Sequence, residues 1–325
     1  MSRKTGVILL SLMLAVTLLT GCQSNTKKGS YPTKPIDLVV PQDAGSAPDL
    51  AARLTADWLS KKWGQPINVV NRPGGGMIVG TQSVMQAQPD GYTILFDGNG
   101  ASSFQAMVKE KLPYKWADRT FIARICEAPM VFVSAKSSPL KSLKDVDQRI
   151  KSDPSTFKTG WQASTTVTGM TLVKWFNAIG INPSKVKTIE YRASNEAVAA
   201  VAGKHIDFTA AGISSAVSML EAGYIQIIAV ASDKKMPSMP DVPTAKEQGY
   251  DIVQTFWQGV SGPPGMPREV ADKWAGEISK MVADEQFVAK LKKEIQMYPS
   301  FLGPQEFKEN VLAEAKSIEG VMGIK

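Results

Sequence analysis

The chain is 325 residues long and 43% hydrophobic, and its 37 Lys and Arg against 30 Asp and Glu give a formal charge of +7, with one histidine and two cysteines. That length is enough for two lobes, each with its own core. The basic residues recur as scattered pairs, Lys61-Lys62, Lys234-Lys235 and Lys292-Lys293, without a dense aromatic-interleaved stripe, so no nucleic-acid partner is expected.

The chain opens on Ser2-Arg3-Lys4, runs through an apolar stretch from Val7 to Leu19 broken only by Ser11 and Thr17, and reaches Leu19-Thr20-Gly21-Cys22. A basic start, a short apolar middle and a small residue before the cut make residues 1–21 an expected secretory signal. The apolar run is short for a membrane span. Cys22 after Leu-Thr-Gly resembles the lipobox of bacterial lipoproteins. The resemblance implies a lipidated Cys22 and an extracytoplasmic protein anchored to a bacterial membrane, in the periplasm or on the outer face of the cell membrane. Residues 22–34 are polar and read as a tether. With Cys22 carrying lipid, Cys126 is left without a disulfide partner, and beside Ile125 and Ala128 it reads as a buried small residue.

Ile36 to Val40 is a strand candidate ending at Pro41, and after Gln42-Asp43-Ala44-Gly45-Ser46-Ala47-Pro48-Asp49 the residues Leu50, Ala51, Leu54, Trp58 and Leu59 recur at helical spacing. Asp49 is placed to cap that helix or to sit in its first turn. The same order returns in Ile67 to Val70, then Asn71-Arg72-Pro73-Gly74-Gly75-Gly76-Met77-Ile78-Val79-Gly80, then a helix expected over Thr81 to Ala87. Three glycines in a row let the backbone approach a ligand and turn its N–H groups inward, and the helix behind adds about half a positive charge at its first turn. Alone, such a stretch is equally a surface turn; two loops of one kind point to an anion held between two helix starts. A third polar loop, Asp97 to Ser103, follows the strand Thr93 to Phe96, and in open α/β sheets ligands collect at such strand ends.

Tyr31-Pro32-Thr33-Lys34-Pro35-Ile36, the loop Pro41 to Asp49, Gly64-Gln65-Pro66, Asn71-Arg72-Pro73-Gly74, Pro89-Asp90-Gly91-Tyr92-Thr93 and Pro240-Asp241-Val242-Pro243-Thr244 together resemble the solute-binding receptors of tripartite tricarboxylate transporters, the Bug receptors. The resemblance runs from about Tyr31 to the end of the chain. It implies an α/β periplasmic-binding-protein fold, type II-like, in which two lobes close on a small carboxylated solute: an organic acid, an aromatic acid or an amino acid. It also implies a monomer that delivers its solute to membrane permease subunits; a ligand sensor for a signalling partner is the alternative. Lobe 1 is expected over residues 35–125 and 236–325, and lobe 2 over 126–235. The expected ligand-binding residues of the first lobe are Gln42, Asp43, Ala44, Gly45 and Ser46, then Gly74, Gly75, Gly76, Met77 and Ile78, with Asn99 and Ser102 from the third loop. Gln42, Asp43 and Ser46 depart from the family pattern of an aromatic, a small residue and a second glycine. Two readings of Asp43 stand: it caps a backbone N–H, or it reads an amine, amide or hydroxyl on the solute.

In the second lobe Met130 to Val133 is a strand, and Ser142 opens a capped helix. Thr165 and Thr166 stand at the start of the helix running through Met170 to Phe176; by resemblance they face the cleft, and otherwise they are N-caps. Ser194 and Asn195 would present donors to the far end of the solute, and Arg192 either supplies charge there or is solvated. Ala210 to Ser215 forms a further small-residue loop. The chain is expected to cross back from Met236, with amphipathic helices over Val270 to Val282 and Phe287 to Ile295 and with Trp257 in the core.

Enzyme readings fit poorly. Gly74, Gly76 and Gly80 with Asp97 miss the spacing of a dinucleotide fingerprint, and Gly212 to Ala216 misses the nucleophile elbow. His205, the single histidine, reads as a loop residue before a strand. No catalytic residues, cofactor or metal are expected.

Overall fold

The structure is a computed structural model and describes residues 31–161 and 166–323, so the expected signal, Cys22 and most of the tether lie outside the described residues, as does Thr165. β1 (Ile36–Val40) buries its four aliphatic residues and leaves only Asp37 half-buried, as befits a strand covered on both faces. It pairs in parallel with β2 (Ile67–Asn71) and β3 (Thr93–Gly98). The crossovers are α1 (Ala47–Trp63) and α2 (Ile78–Met85). Ser46 caps α1, Pro48 occupies its first turn, and Gly64 ends it at φ 64°. α2 begins three residues before the expected Thr81.

β4 (Thr120–Ala135) joins the two halves of the molecule. From Thr120 to Pro129 it pairs with β9 (Thr255–Gly262), which in turn pairs with β3. From Met130 onward it runs between β7 (Phe208–Gly212) and β8 (Ile225–Ala231). β5 (Lys158–Trp161) pairs in parallel with β6 (Lys187–Glu190) and with β7. Helices α3 (Leu143–Ser152), α4 (Val167–Ala178), α5 (Ser194–Ala202) and α6 (Ile213–Glu221) belong to this second half. Its core gathers Phe132, Phe157, Trp175, Phe176 and Phe208. The result is a two-lobed α/β fold in which a long strand serves both sheets.

The lobe limits differ from those expected at Cys126 and Met236. Cys126 is buried in the first sheet, opposite Gln258 and Pro299, and the change of partners comes at Met130. On the return, Ala245 and Ile252 are buried in the second core, and Gln248 donates to Ile228 O at 2.7 Å. The crossing falls at Gln254, whose N–H donates to Ala231 O and whose carbonyl accepts from Met130 N, each at 2.9 Å. Apolar Ala245, Tyr250 and Ile252 hold the intervening segment on the second lobe, with the Tyr250 ring 4.7 Å from that of Trp175.

α7 (Arg268–Met281), α8 (Glu285–Lys290), β10 (Tyr298–Leu302) and α9 (Pro304–Met322) complete the chain. The helix expected through Ile295 gives way to a π turn at Leu291–Ile295. Trp274 of α7 stacks edge-on with Trp63 at 4.7 Å, and Phe307 of α9 meets Trp257 at 5.2 Å. Trp257 is thus a core residue, 1% exposed. Ile318 of α9 packs with Phe104 and with Met170 of α4, so α9 touches both lobes. No helix among the described residues is long and apolar enough to cross a membrane.

Candidate functional site

Between the lobes lies a cavity of about 370 Å³. Five helices begin at it. α1 contributes Ser46, Ala47 and Pro48; α2 contributes Met77; α4 contributes Thr166, Val167 and Thr168; α5 contributes Ser194; and α6 contributes Gly212, Ser214 and Ser215. Among the described residues, none that lines it carries a charged side chain. The positive potential in the cleft therefore comes from backbone: each helix start carries about half a unit of positive charge and leaves its first N–H groups without helical partners. At α1 and α4 side chains take part of that capacity, Ser46 Oγ accepting from Asp49 N at 3.4 Å and Thr166 Oγ1 from Gly169 N at 3.2 Å. α2, α5 and α6 have no side-chain cap, which suits an anion taking that place.

Two loops of the first lobe are drawn together by a group of three side chains. Asp49, 1% exposed, accepts from Gly45 N at 2.9 Å, from Arg53 Nε at 3.0 Å and from Asn71 Nδ2 at 2.9 Å. Asn71 Nδ2 also donates to Gln42 O at 3.1 Å, and Arg53 donates to Asn71 Oδ1 at 3.2 Å. Burial pushes the Asp49 carboxyl up, but the hydrogen bonds from Arg53, Gly45 and Asn71 outweigh it and hold it below its ordinary value. The second loop turns through four successive left-handed residues, Gly74, Gly75, Gly76 and Met77, with φ of 123°, 57°, 62° and 74°. Gly80 lets α2 sit close behind: a Cβ there would fall 2.6 Å from Arg72 O and 2.8 Å from Pro41 Cα.

Of the residues expected at the site, Gln42, Ser46, Met77, Asn99, Thr166 and Ser194 line the cavity. Asp43, Ala44, Gly45, Gly74, Gly75 and Gly76 are exposed, and they and Ile78 are not among its lining residues. Arg192 and Asn195 are exposed and off the cavity; Arg192 N donates to Glu196 Oε2 at 3.1 Å. Ser102 is fully buried, its hydroxyl without a partner, and stands away from the lining. Asn99 reaches the cavity with its amide already committed. Its Nδ2 donates to Thr255 O at 3.2 Å and Glu314 Oε1 at 2.7 Å, and its Oδ1 accepts from Trp257 N at 2.9 Å. Gln42 Nε2 lies 3.6 Å from the Met77 sulfur, which places the side chains of both loops against each other.

Sequence reasoning did not single out Phe104, Met130, Phe256 or Gln258, all of which line the cavity. A signal was present for the last two. With Trp257 in the core, strand alternation turns Phe256 and Gln258 to the opposite face, where a glutamine among apolar neighbours asks for an explanation.

Residues 51–318 match the family model described as the tripartite tricarboxylate transporter family receptor, TctC. A UPF0065 protein of Bordetella pertussis is 31% identical over 263 residues, covering 80% of this chain and 80% of that protein. Among solved structures, the periplasmic binding protein BugD is similar with a TM-score of 0.72 at 25% identity, covering 90% of this chain and 98% of BugD. Rpa4515 of R. palustris with adipate is similar with a TM-score of 0.76, also at 25% identity and with the same coverage of 90% and 98%. With the family model matched over most of its length and the two-lobed fold in place, the chain belongs to the tripartite tricarboxylate transporter receptor family.

Proposed function

We propose that this receptor captures a small carboxylate between its lobes and, without altering it chemically, delivers it to the membrane subunits of a tripartite transporter. The observation that carries the carboxylate is a cleft at which five helices begin and which, among the described residues, no charged side chain lines. A carboxylate there is held by N–H donors, each worth about 1.5 to 3 kcal/mol toward a charged acceptor. The similar Rpa4515, with adipate, supports the same solute class. Gln42, Ser46, Met77, Asn99, Thr166 and Ser194 are the part of the expected site that lines the cavity; the exposed glycines of the two loops stand next to Ser46 and Met77 in the chain.

Thermal-shift screening of the mature protein against mono-, di- and tricarboxylates tests this, since a ligand at a hundred times its dissociation constant adds about 2.7 kcal/mol. Gly45 at φ 82° and Gly75 at φ 57° hold conformations that a valine resists. Gly45→Val and Gly75→Val should abolish the shift while leaving a cooperative unfolding transition. A full shift retained in both variants would remove the loops from the site. The receptor is further proposed to act as a monomer and, on the strength of the Leu-Thr-Gly-Cys sequence, to be held at the membrane by lipid on Cys22. Cys22→Ser should move it from the membrane to the soluble fraction, and an unchanged distribution would sink the anchor.

A further inference from the structure

Gln258 stands in the middle of β9, 2% exposed, and lines the cavity. Its amide head lies beside Gly98, another lining residue: a Cβ on Gly98 would come within 3.1 Å of both Oε1 and Nε2. No hydrogen bond from another described residue reaches that amide. Across the cleft the buried hydroxyl of Ser194 is likewise without a partner. A primary amide that faces the cleft without a protein partner is satisfied by water or by what the cleft binds.

We propose that Gln258 is a specificity-determining residue that hydrogen-bonds an uncharged polar group, a hydroxyl, oxo or amide, carried by the carboxylate solute. The proposal rests on the carboxylate-receptor reading and deepens it. The charged end of such a solute is better placed at the helix starts, which present donors only. Gln258 lies on a strand and offers an acceptor as well as donors; a carboxylate uses only the donors, whereas a hydroxyl or amide uses both of its functions. Ser194 lines the same cavity from the second lobe with its hydroxyl unpaired. Phe104, Met130 and Phe256 give the carbon skeleton an apolar wall. The solutes selected are then hydroxy-, oxo- or amido-substituted carboxylates over their unsubstituted parents.

Calorimetric titration with matched pairs tests this: succinate and malate, glutarate and 2-oxoglutarate, benzoate and 4-hydroxybenzoate. The wild-type protein should bind the substituted member of at least one pair about tenfold more tightly, equivalent to about 1.4 kcal/mol. Gln258→Leu should reduce that preference to within about twofold, by weakening the substituted member of the pair more than its parent. Its ligand-free melting temperature should stay level or rise, because an unpaired buried amide has been replaced by an apolar group of similar shape; a merely structural glutamine would lower it. Gln258→Glu, close in shape, should weaken every carboxylate at least tenfold. A preference that survives in Gln258→Leu, an unaltered affinity in Gln258→Glu, or no preference in the wild-type protein would overturn the proposal while leaving the receptor reading intact. No binding of any carboxylate would overturn both.

Discussion

Asp49 shows how one residue sets the geometry of a site it does not itself line. Its carboxylate, nearly inaccessible, ties the backbone of the first loop to Asn71 at the start of the second, with Arg53 closing the triangle. Asp49→Asn keeps the size and loses the charge. It should lower stability in urea unfolding by about 2 kcal/mol, the scale of hydrogen bonds to a charged acceptor, and weaken carboxylate binding by letting the loops part. The pH dependence has a fixed sign. The folded carboxyl titrates below its ordinary 3.8, so its contribution is complete above that pH and is lost as pH falls through the lower folded value. The stability gap between wild type and Asp49→Asn should therefore be constant above pH 4 and close below it; a gap that persists at pH 2 would show that packing alone is at stake. Asp43, by contrast, is an exposed side chain with no hydrogen bond from another described residue, so of its two readings the local cap is not realised: Asp49 holds Gly45 N–H instead. The sequence offered both acids, six residues apart in one small-residue loop. Choosing between them depends on Asn71, whose approach is a matter of sheet register, Val40 opposite Asn71, and leaves no mark in either segment alone.

Among the elements, β1 to β3 and the helices between them were readable because each strong signal stood next to another: aliphatic runs, then small-residue loops, then 3.6-residue periodicity. Two of the elements that escaped did so for physical reasons. β4 is a single strand of 16 residues, but Pro129 interrupts its sequence, and only the structure shows that the proline sits where the strand changes partners. α9 repeats Phe307, Val311, Ala315 and Ile318 at helical spacing, a stripe weakened by its alanine, and that helix carries Glu314 into the floor of the molecule. Glu314 accepts from Asn99 at 2.7 Å, Ser103 at 2.6 Å, Gln254 at 3.2 Å and Trp257 Nε1 at 2.8 Å. It thus fixes the third loop against both β9 and the crossing at Gln254. Glu314→Ala strands four donors and should cost at least about 3 kcal/mol. Glu314→Gln, which keeps an acceptor, should cost clearly less. Equal losses in the two variants would mean that helix packing, and not the acceptor, holds α9 in place.

At the scale of the whole molecule, the two lobes are joined by chain that crosses twice at neighbouring points, through Pro129-Met130 and through Gln254-Thr255, with Met130 N bonded to Gln254 O at 2.9 Å. Two extended crossings side by side define an axis about which the lobes can close with little change inside either. The helix starts facing the cleft come from both sides of that axis, α1 and α2 on one and α4, α5 and α6 on the other. A carboxylate that satisfies donors of both groups favours any arrangement that brings the lobes together, so ligand binding would be coupled to closure. Hydrogen exchange with and without a saturating carboxylate should show new protection at the starts of α1 and α2 and, at the same ligand concentration, at the starts of α5 and α6. The strand interiors of both sheets should be unchanged, because closure leaves each core as it is. Protection limited to α1 and α2 would mean that the solute docks on one lobe alone. A receptor that closes must instead protect both groups together, because the second lobe has no other way to reach a ligand seated on the first.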